Sequence, residues 1–201
     1  MPATRPRIVA IGGTPHSGSS TEKALRHALD SIDAHTELIS GEDLCLPLYD
    51  PISPAFTPAV ERVITALGHA DGVLLASPGY HGGLSGVMKN ALDYVEFLRD
   101  DDRPYLSGRA VGCIANAAGW QGAMATLSAL RDIVHALRGW PTPLGVCIAG
   151  PEKAFDQQGN CLLPTVSRHL QTVAHDVLEF AQMRQAQQAG AVPIKSHVKA
   201  A

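Results

Sequence analysis

Strand-like runs and helical stretches alternate five times along this chain, and that alternation limits the fold more than any single motif. Arg7–Ile11, Thr36–Ser40, Gly72–Ala76, Ala110–Ala115 and Leu144–Ala149 read as strands. Helical patterns lie between and after them. The first runs from Glu22 to Leu29. The second carries Val60, Val63, Ile64 and Leu67, behind a Thr57 cap and a proline at the first helical position. The third runs from about Ser85 to Leu98. The fourth places Leu127, Leu130, Ile133, Val134 and Leu137 on one face, with Gly139 as its C-terminal cap. The fifth runs from Thr165 to about Gln188. The strands read as apolar on both faces, the pattern of a parallel sheet covered on both sides. The expected fold is therefore α/β: a five-stranded parallel sheet with helices on both faces. One domain is expected over residues 1–188, with a flexible tail over 189–201.

In open sheets of this kind, ligands bind beyond the carboxyl ends of the strands. Three small-residue loops follow strand runs one, three and four: Gly12 to Ser19, Ser77 to Gly83 and Asn116 to Gly122. The first continues to Thr21 and leads into a helix. A helix start carries N–H groups without internal partners and a partial positive charge, so a phosphate fits there. Ser19 and Glu22 also have capping-box spacing, which accounts for Ser19 without a ligand. Thr14, Ser17, Ser20 and Thr21 add more hydroxyls than one cap requires, and they carry the phosphate reading. Gly41 to Thr57 is a long proline-rich connection, readable as a lid or as a packed cover.

Other chemistries are disfavoured. Gly13 and Gly18 have the spacing of a triphosphate loop, but Ser19-Ser20 stands where that loop needs its lysine. No acidic pair follows the first strand, and GxGxxG and GxSxG are absent. The nine histidines show no metal-ligand spacing, so no metal is expected. With 16 Lys and Arg against 19 Asp and Glu, nothing marks a basic face for nucleic acid. No apolar run reaches the length of a membrane span, and the N-terminus lacks a signal-peptide pattern. Cys45, Cys113, Cys147 and Cys161 form no CxxC and read as small residues of a reducing compartment. A cytoplasmic location is expected.

Gly13-Thr14-Pro15-His16-Ser17-Gly18-Ser19-Ser20-Thr21 resembles the phosphate loop of the NAD(P)H-dependent FMN reductase family. Pro78 to Tyr94, reading Pro-Gly-Tyr-His-Gly-Gly-Leu-Ser-Gly-Val-Met-Lys-Asn-Ala-Leu-Asp-Tyr, resembles its longer second signature. Gly119 and Gly122, ahead of Leu130-Arg131, resemble its third loop. The likeness runs from about Arg7 to about Pro143. The departures are His16 for Arg, Thr14 for Ser, Thr21 for Asn, Gly79 for Glu and His81 for Asn.

The resemblance implies a flavodoxin-like fold, a sheet order whose switch point holds a flavin. It implies FMN as cofactor and NADPH or NADH as co-substrate. Thr14, His16, Ser19, Ser20 and Thr21 would hold the FMN phosphate. Pro78, Gly79, Tyr80, His81 and Gly82 would line the isoalloxazine, and Ala118 and Gly119 would approach it from the third loop. Lys89, Asn90 and Asp93 read as positioning residues or subunit contacts. Hydride would pass from nicotinamide to flavin N5, and then to free flavin, a quinone, an azo compound or another small acceptor. Such chemistry belongs to the cofactor and needs no protein nucleophile or acid–base pair, and no catalytic residue is assigned. A homodimer or homotetramer is also implied. Two readings stay open at this point: a flavodoxin-like electron carrier without nicotinamide activity, and a domain that holds some other phosphoester.

Overall fold

Side-chain alternation along β1 (Arg7–Gly12) sets the layering. Val9 and Ile11 enter one apolar cluster, while Ile8 and Ala10 enter the other. The computed structural model describes residues 5–150 and 153–190. Its further elements are α1 (Ser20–Leu29), β2 (His35–Ile39), α2 (Pro58–His69), β3 (Gly72–Tyr80), β4 (Gly83–Leu84) and α3 (Gly86–Asp93). These are followed by β5 (Ala110–Ala117), α4 (Trp120–Ala136), β6 (Trp140–Pro141), β7 (Val146–Ala149) and α5 (Pro164–Ala189). Helices α1 and α5 cover the Ile8 face; α2, α3 and α4 cover the Val9 face.

The sheet runs β2-β1-β3-β5, and β6 and β7 both pair with β5 in parallel. Taken as two halves of one strand, β6 and β7 complete the flavodoxin-like order 2-1-3-4-5. The five expected parallel positions are therefore present, although the sheet has seven segments. One extra segment is β4, which pairs antiparallel with the end of β3. The other is β6, which precedes the expected fifth strand. Trp140 N–H donates to the carbonyl of Arg109, the residue just before β5, at 2.9 Å, and Thr142 N–H to the Val111 carbonyl of β5 at 3.0 Å. Pro141, which has no N–H, is tolerated between them on this outer strand.

Helix ends correct three expectations. The third helix stops at Asp93 and continues as a 3-10 turn over Tyr94–Leu98. The fourth closes through Arg138 at φ 61°, not through Gly139. Gly139 N–H then bonds to the Val134 carbonyl at 2.9 Å, completing a left-handed cap one residue earlier than a cap at Gly139 would place it. The capping box is half realised: Ser19 Oγ accepts from Glu22 N–H, but the Glu22 carboxylate reaches the Gly18 N–H instead of that of Ser19. Helix α5 carries order to Ala189. Residues 191–201 of the expected tail lie outside the described residues.

At the edge opposite the three loops, Arg109 is fully buried. Its guanidinium donates to the carbonyls of Gly68 (2.6 Å), Ala70 (3.0 Å) and Tyr105 (3.0 Å), closing the C-terminal end of α2. Burial pulls its pKa down to about 10. Among the described residues, no helix is long and apolar enough to cross a membrane.

Candidate functional site at the carboxyl edge of the sheet

Parallel pairing brings the ends of β1, β3 and β5 to one edge. Gly12 sits beside Ala76, and Pro78 beside Asn116. The first and second loops are joined directly. Gly13 N–H bonds to the Ala76 carbonyl at 2.7 Å, and Ser85 Oγ donates to the Gly13 carbonyl at 2.6 Å. Ser85 is also the N-cap of α3, accepting from Met88 N–H at 3.1 Å, and its own N–H bonds to Ser77 Oγ at 3.0 Å. A side chain at Gly13 has no room: a Cβ there would lie 2.9 Å from Met88 Cβ. Ser77 and Ser85 thus tie the loops together, a role no local pattern in the chain announces.

The second loop is shorter than expected. β3 extends through Tyr80, so Pro78, Gly79 and Tyr80 are strand residues, and only His81 and Gly82 form the turn. Both have positive φ, 50° and 88°, which is the two-residue hairpin turn that matches sheet twist. Histidine is among the few side chains enriched in that region, so it can stand where Asn is the usual choice. A Cβ at Gly79 would lie 2.5 Å from Thr126 Oγ1 and 3.1 Å from the Gly122 carbonyl. Its bareness lets α4 press onto the hairpin, where Thr126 Oγ1 donates to the Gly83 carbonyl at 3.2 Å.

The third loop is also shorter. β5 runs through Ala117 and α4 begins at Trp120, leaving Ala118 and Gly119 exposed between them. A Cβ at Gly119 would meet nothing within 4 Å. Tyr80 (58% exposed) and Trp120 (66% exposed) stand at the rims of the second and third loops. Trp120 was not expected from the sequence.

In the first loop, Thr14 is buried; its hydroxyl donates to the His16 carbonyl (3.1 Å) and shares a hydrogen bond with the Ser19 hydroxyl (3.0 Å). His16 is exposed. Ser20 and Thr21 lie in the first turn of α1, so their N–H groups have no intrahelical partner. No Lys, Arg, Asp or Glu occurs within residues 12–21, 77–88 or 115–130. The nearest charges are spoken for. Glu22, 6% exposed, accepts from Gly18 N–H at 3.0 Å and from Arg26 at 2.7 and 2.9 Å. Burial alone would raise the Glu22 pKa, but Arg26 and the Gly18 N–H outweigh it and hold it below the ordinary value. Lys23 Nζ donates to the Asp156 carbonyl at 2.8 Å. The edge therefore offers amides and hydroxyls to an anion, with no free cation in the three loops.

The Asn90 side chain accepts from Tyr49 N–H (2.8 Å) and donates to the Pro47 carbonyl (2.8 Å), while Lys89 pairs with Asp93. Asn90 thus holds the proline-rich connection down as a packed cover over its Leu44, Leu46 and Tyr49 portion. Asn116 is the polar residue that the loop reading passed over. It is 2% exposed, and both its side-chain Oδ1 and Nδ2 are buried without a partner, as is Thr21 Oγ1.

The chain is similar to an NAD(P)H-dependent FMN reductase of Pseudomonas aeruginosa, 31% identical over 159 residues that cover 78% of this chain and 84% of that protein. It is 30% identical over 174 residues to an NADPH azoreductase of a Bacillus species, covering 86% of this chain and 89% of that one. In fold it resembles a flavoenzyme NAD(P)H:(acceptor) oxidoreductase from Paracoccus denitrificans, with a TM-score of 0.71 at 20% identity, covering 89% and 98% of the two chains. The family model for NADPH-dependent FMN reductases matches residues 6–152, and with the three loops gathered at one sheet edge, this chain belongs to that family.

Proposed function

We propose that this chain is an FMN-dependent NAD(P)H oxidoreductase whose carboxyl-edge loops hold the flavin. The observation that carries the reading is the junction of the first two loops through Gly13, Ala76 and Ser85, which ties the phosphate loop to the base of the hairpin at one sheet edge. The residues present fit FMN. Unpaired first-turn N–H groups at Ser20 and Thr21 and the orphaned Thr21 hydroxyl suit a phosphate. Gly119 is bare and unobstructed, so a ring can approach its backbone, and the hairpin exposes His81 and Gly82 at the same sheet edge.

When bound, FMN supplies hydride acceptance from the nicotinamide and delivery to a second substrate. The chain's own work is positional. Thr14, His16, Ser19, Ser20 and Thr21 take the phosphate. Pro78, Gly79, Tyr80, His81 and Gly82, with Ala118 and Gly119, set the ring, and Tyr80 and Trp120 shield its rim. The acceptor is a small molecule such as free flavin, a quinone or an azo compound; an azo acceptor is in keeping with the azoreductase name of one relative. Four free cysteines suit the cytoplasm. Leu48, Ile52, Phe56 and Phe97 expose apolar surface, which we assign to contact with a second copy in a homodimer or homotetramer.

Steady oxidation of NADPH or NADH with FMN and an added quinone or azo dye tests the activity. Turnover supports it, and flavin binding without turnover supports the electron-carrier reading instead. Light scattering tests the assembly, which a monomer would contradict.

A further inference from the structure

Among the described residues, the buried side-chain polar atoms without a partner are confined to two residues, Thr21 and Asn116. They belong to different elements yet share a location. Thr21 lies on the stripe of α1 that includes Ala24, Leu25 and Ala28, which packs on the sheet. Asn116 alternates with Ile114 along β5 and so faces the same α1–α5 side. Both stand at the carboxyl edge, Thr21 where the phosphate loop becomes helix, Asn116 between the hairpin strand and Ala118. An isolated buried amide is costly, since each unmade hydrogen bond loses the hydration of that group. At the ligand edge, an amide uncommitted to any protein group is free to bond a group that arrives with the ligand.

The chemistry of that partner is constrained. Asn116 presents donors at Nδ2 and an acceptor at Oδ1, so a phosphate, which only accepts, cannot satisfy it. A hydroxyl donates and accepts. Asn116 lies on the α1 side of β5, at the foot of the third loop and two strands from β1. On the sheet face it shares with Thr21, it is placed for the polyol chain that joins phosphate to ring. Resting on the reading that FMN occupies this edge, we propose that the Asn116 carboxamide is a binding residue for the ribityl hydroxyls.

The test compares three flavins against the full chain: FMN, riboflavin, which lacks the phosphate, and lumiflavin, which lacks the ribityl chain. Dissociation constants are measured by flavin fluorescence for the wild type, Asn116→Leu and Asn116→Ala. The Leu variant replaces the amide with an apolar group of similar size, so its apo melting temperature stays the same or rises; Ala serves if Leu does not fold. FMN and riboflavin are expected to weaken about tenfold or more in the variants, with lumiflavin within about twofold. FMN and riboflavin held within about threefold of wild type would overturn the proposal. So would an equal loss for lumiflavin, which would place Asn116 at the ring or make its role purely structural. A wild-type chain that binds none of the three flavins would instead overturn the functional reading itself.

Discussion

Replacing Ser85 by Ala removes one hydroxyl and cuts two connections. Ser85 Oγ caps α3 through Met88 N–H and donates to the Gly13 carbonyl, the link between the first two loops. Loss of an N-cap hydroxyl costs about 1 kcal/mol. Stranding the Gly13 carbonyl costs about 1–3 kcal/mol more, because Ser85 is buried and water does not replace it there. The sum, about 2–4 kcal/mol, lowers Tm by roughly 5–15 °C in a chain of this size. Urea unfolding of the apoprotein, followed by circular dichroism, measures it directly. The same variant should weaken FMN binding, because the phosphate loop loses its tie to the hairpin. A stability loss below about 0.5 kcal/mol would show that the bond contributes little and would refute the account of how the loops are joined.

Other perturbations read separate parts of the structure. Gly79→Ala drives a methyl against Thr126 and the Gly122 carbonyl, and should destabilise by about 1–3 kcal/mol in thermal melts. Arg109→Met strands carbonyls at the end of α2 and should cost about 3 kcal/mol, at the sheet edge opposite the three loops, so the FMN affinity of the folded fraction should not change. Thiol labelling should modify exposed Cys45 first and Cys113 only on unfolding, since burial pushes the Cys113 pKa up to about 12. Because the Glu22 carboxyl is held below its ordinary 4.5, the stability it contributes is fully present above that pH and is lost as pH falls through the lower folded value. The melting advantage of wild type over Glu22→Gln should therefore be flat above pH 4.5 and disappear below it.

Much of this architecture is legible in residue order. The β-branched runs, the Thr57-Pro58 helix start and the glycine–hydroxyl loop each carry a local signal, and the structure places them as expected. What escaped depends on distant partners. Pro78 and Gly79 look like loop residues, yet they extend β3 because β5 and α4 close around them. The His81-Gly82 turn lacks the usual Asn, so its hairpin is concealed. Trp140-Pro141 reads as a poor strand until its edge position is known. Ser85 looks like an ordinary cap, and nothing near it in sequence reveals a bond to a residue 72 positions earlier. Asn116 looks like a polar loop residue; only the extension of β5 through Ala117 buries its amide without a partner. Arg109 sits between a polar turn and a strand, and its carbonyl partners come from the end of α2 and the turn before it.

The most direct test is the visible spectrum of the purified chain titrated with FMN, then treated with NADPH or NADH without oxygen. A perturbed flavin band that saturates at one FMN per chain and bleaches on addition of the nicotinamide is the predicted result. Free-flavin spectra throughout, or a bound band that neither nicotinamide bleaches, would contradict the account.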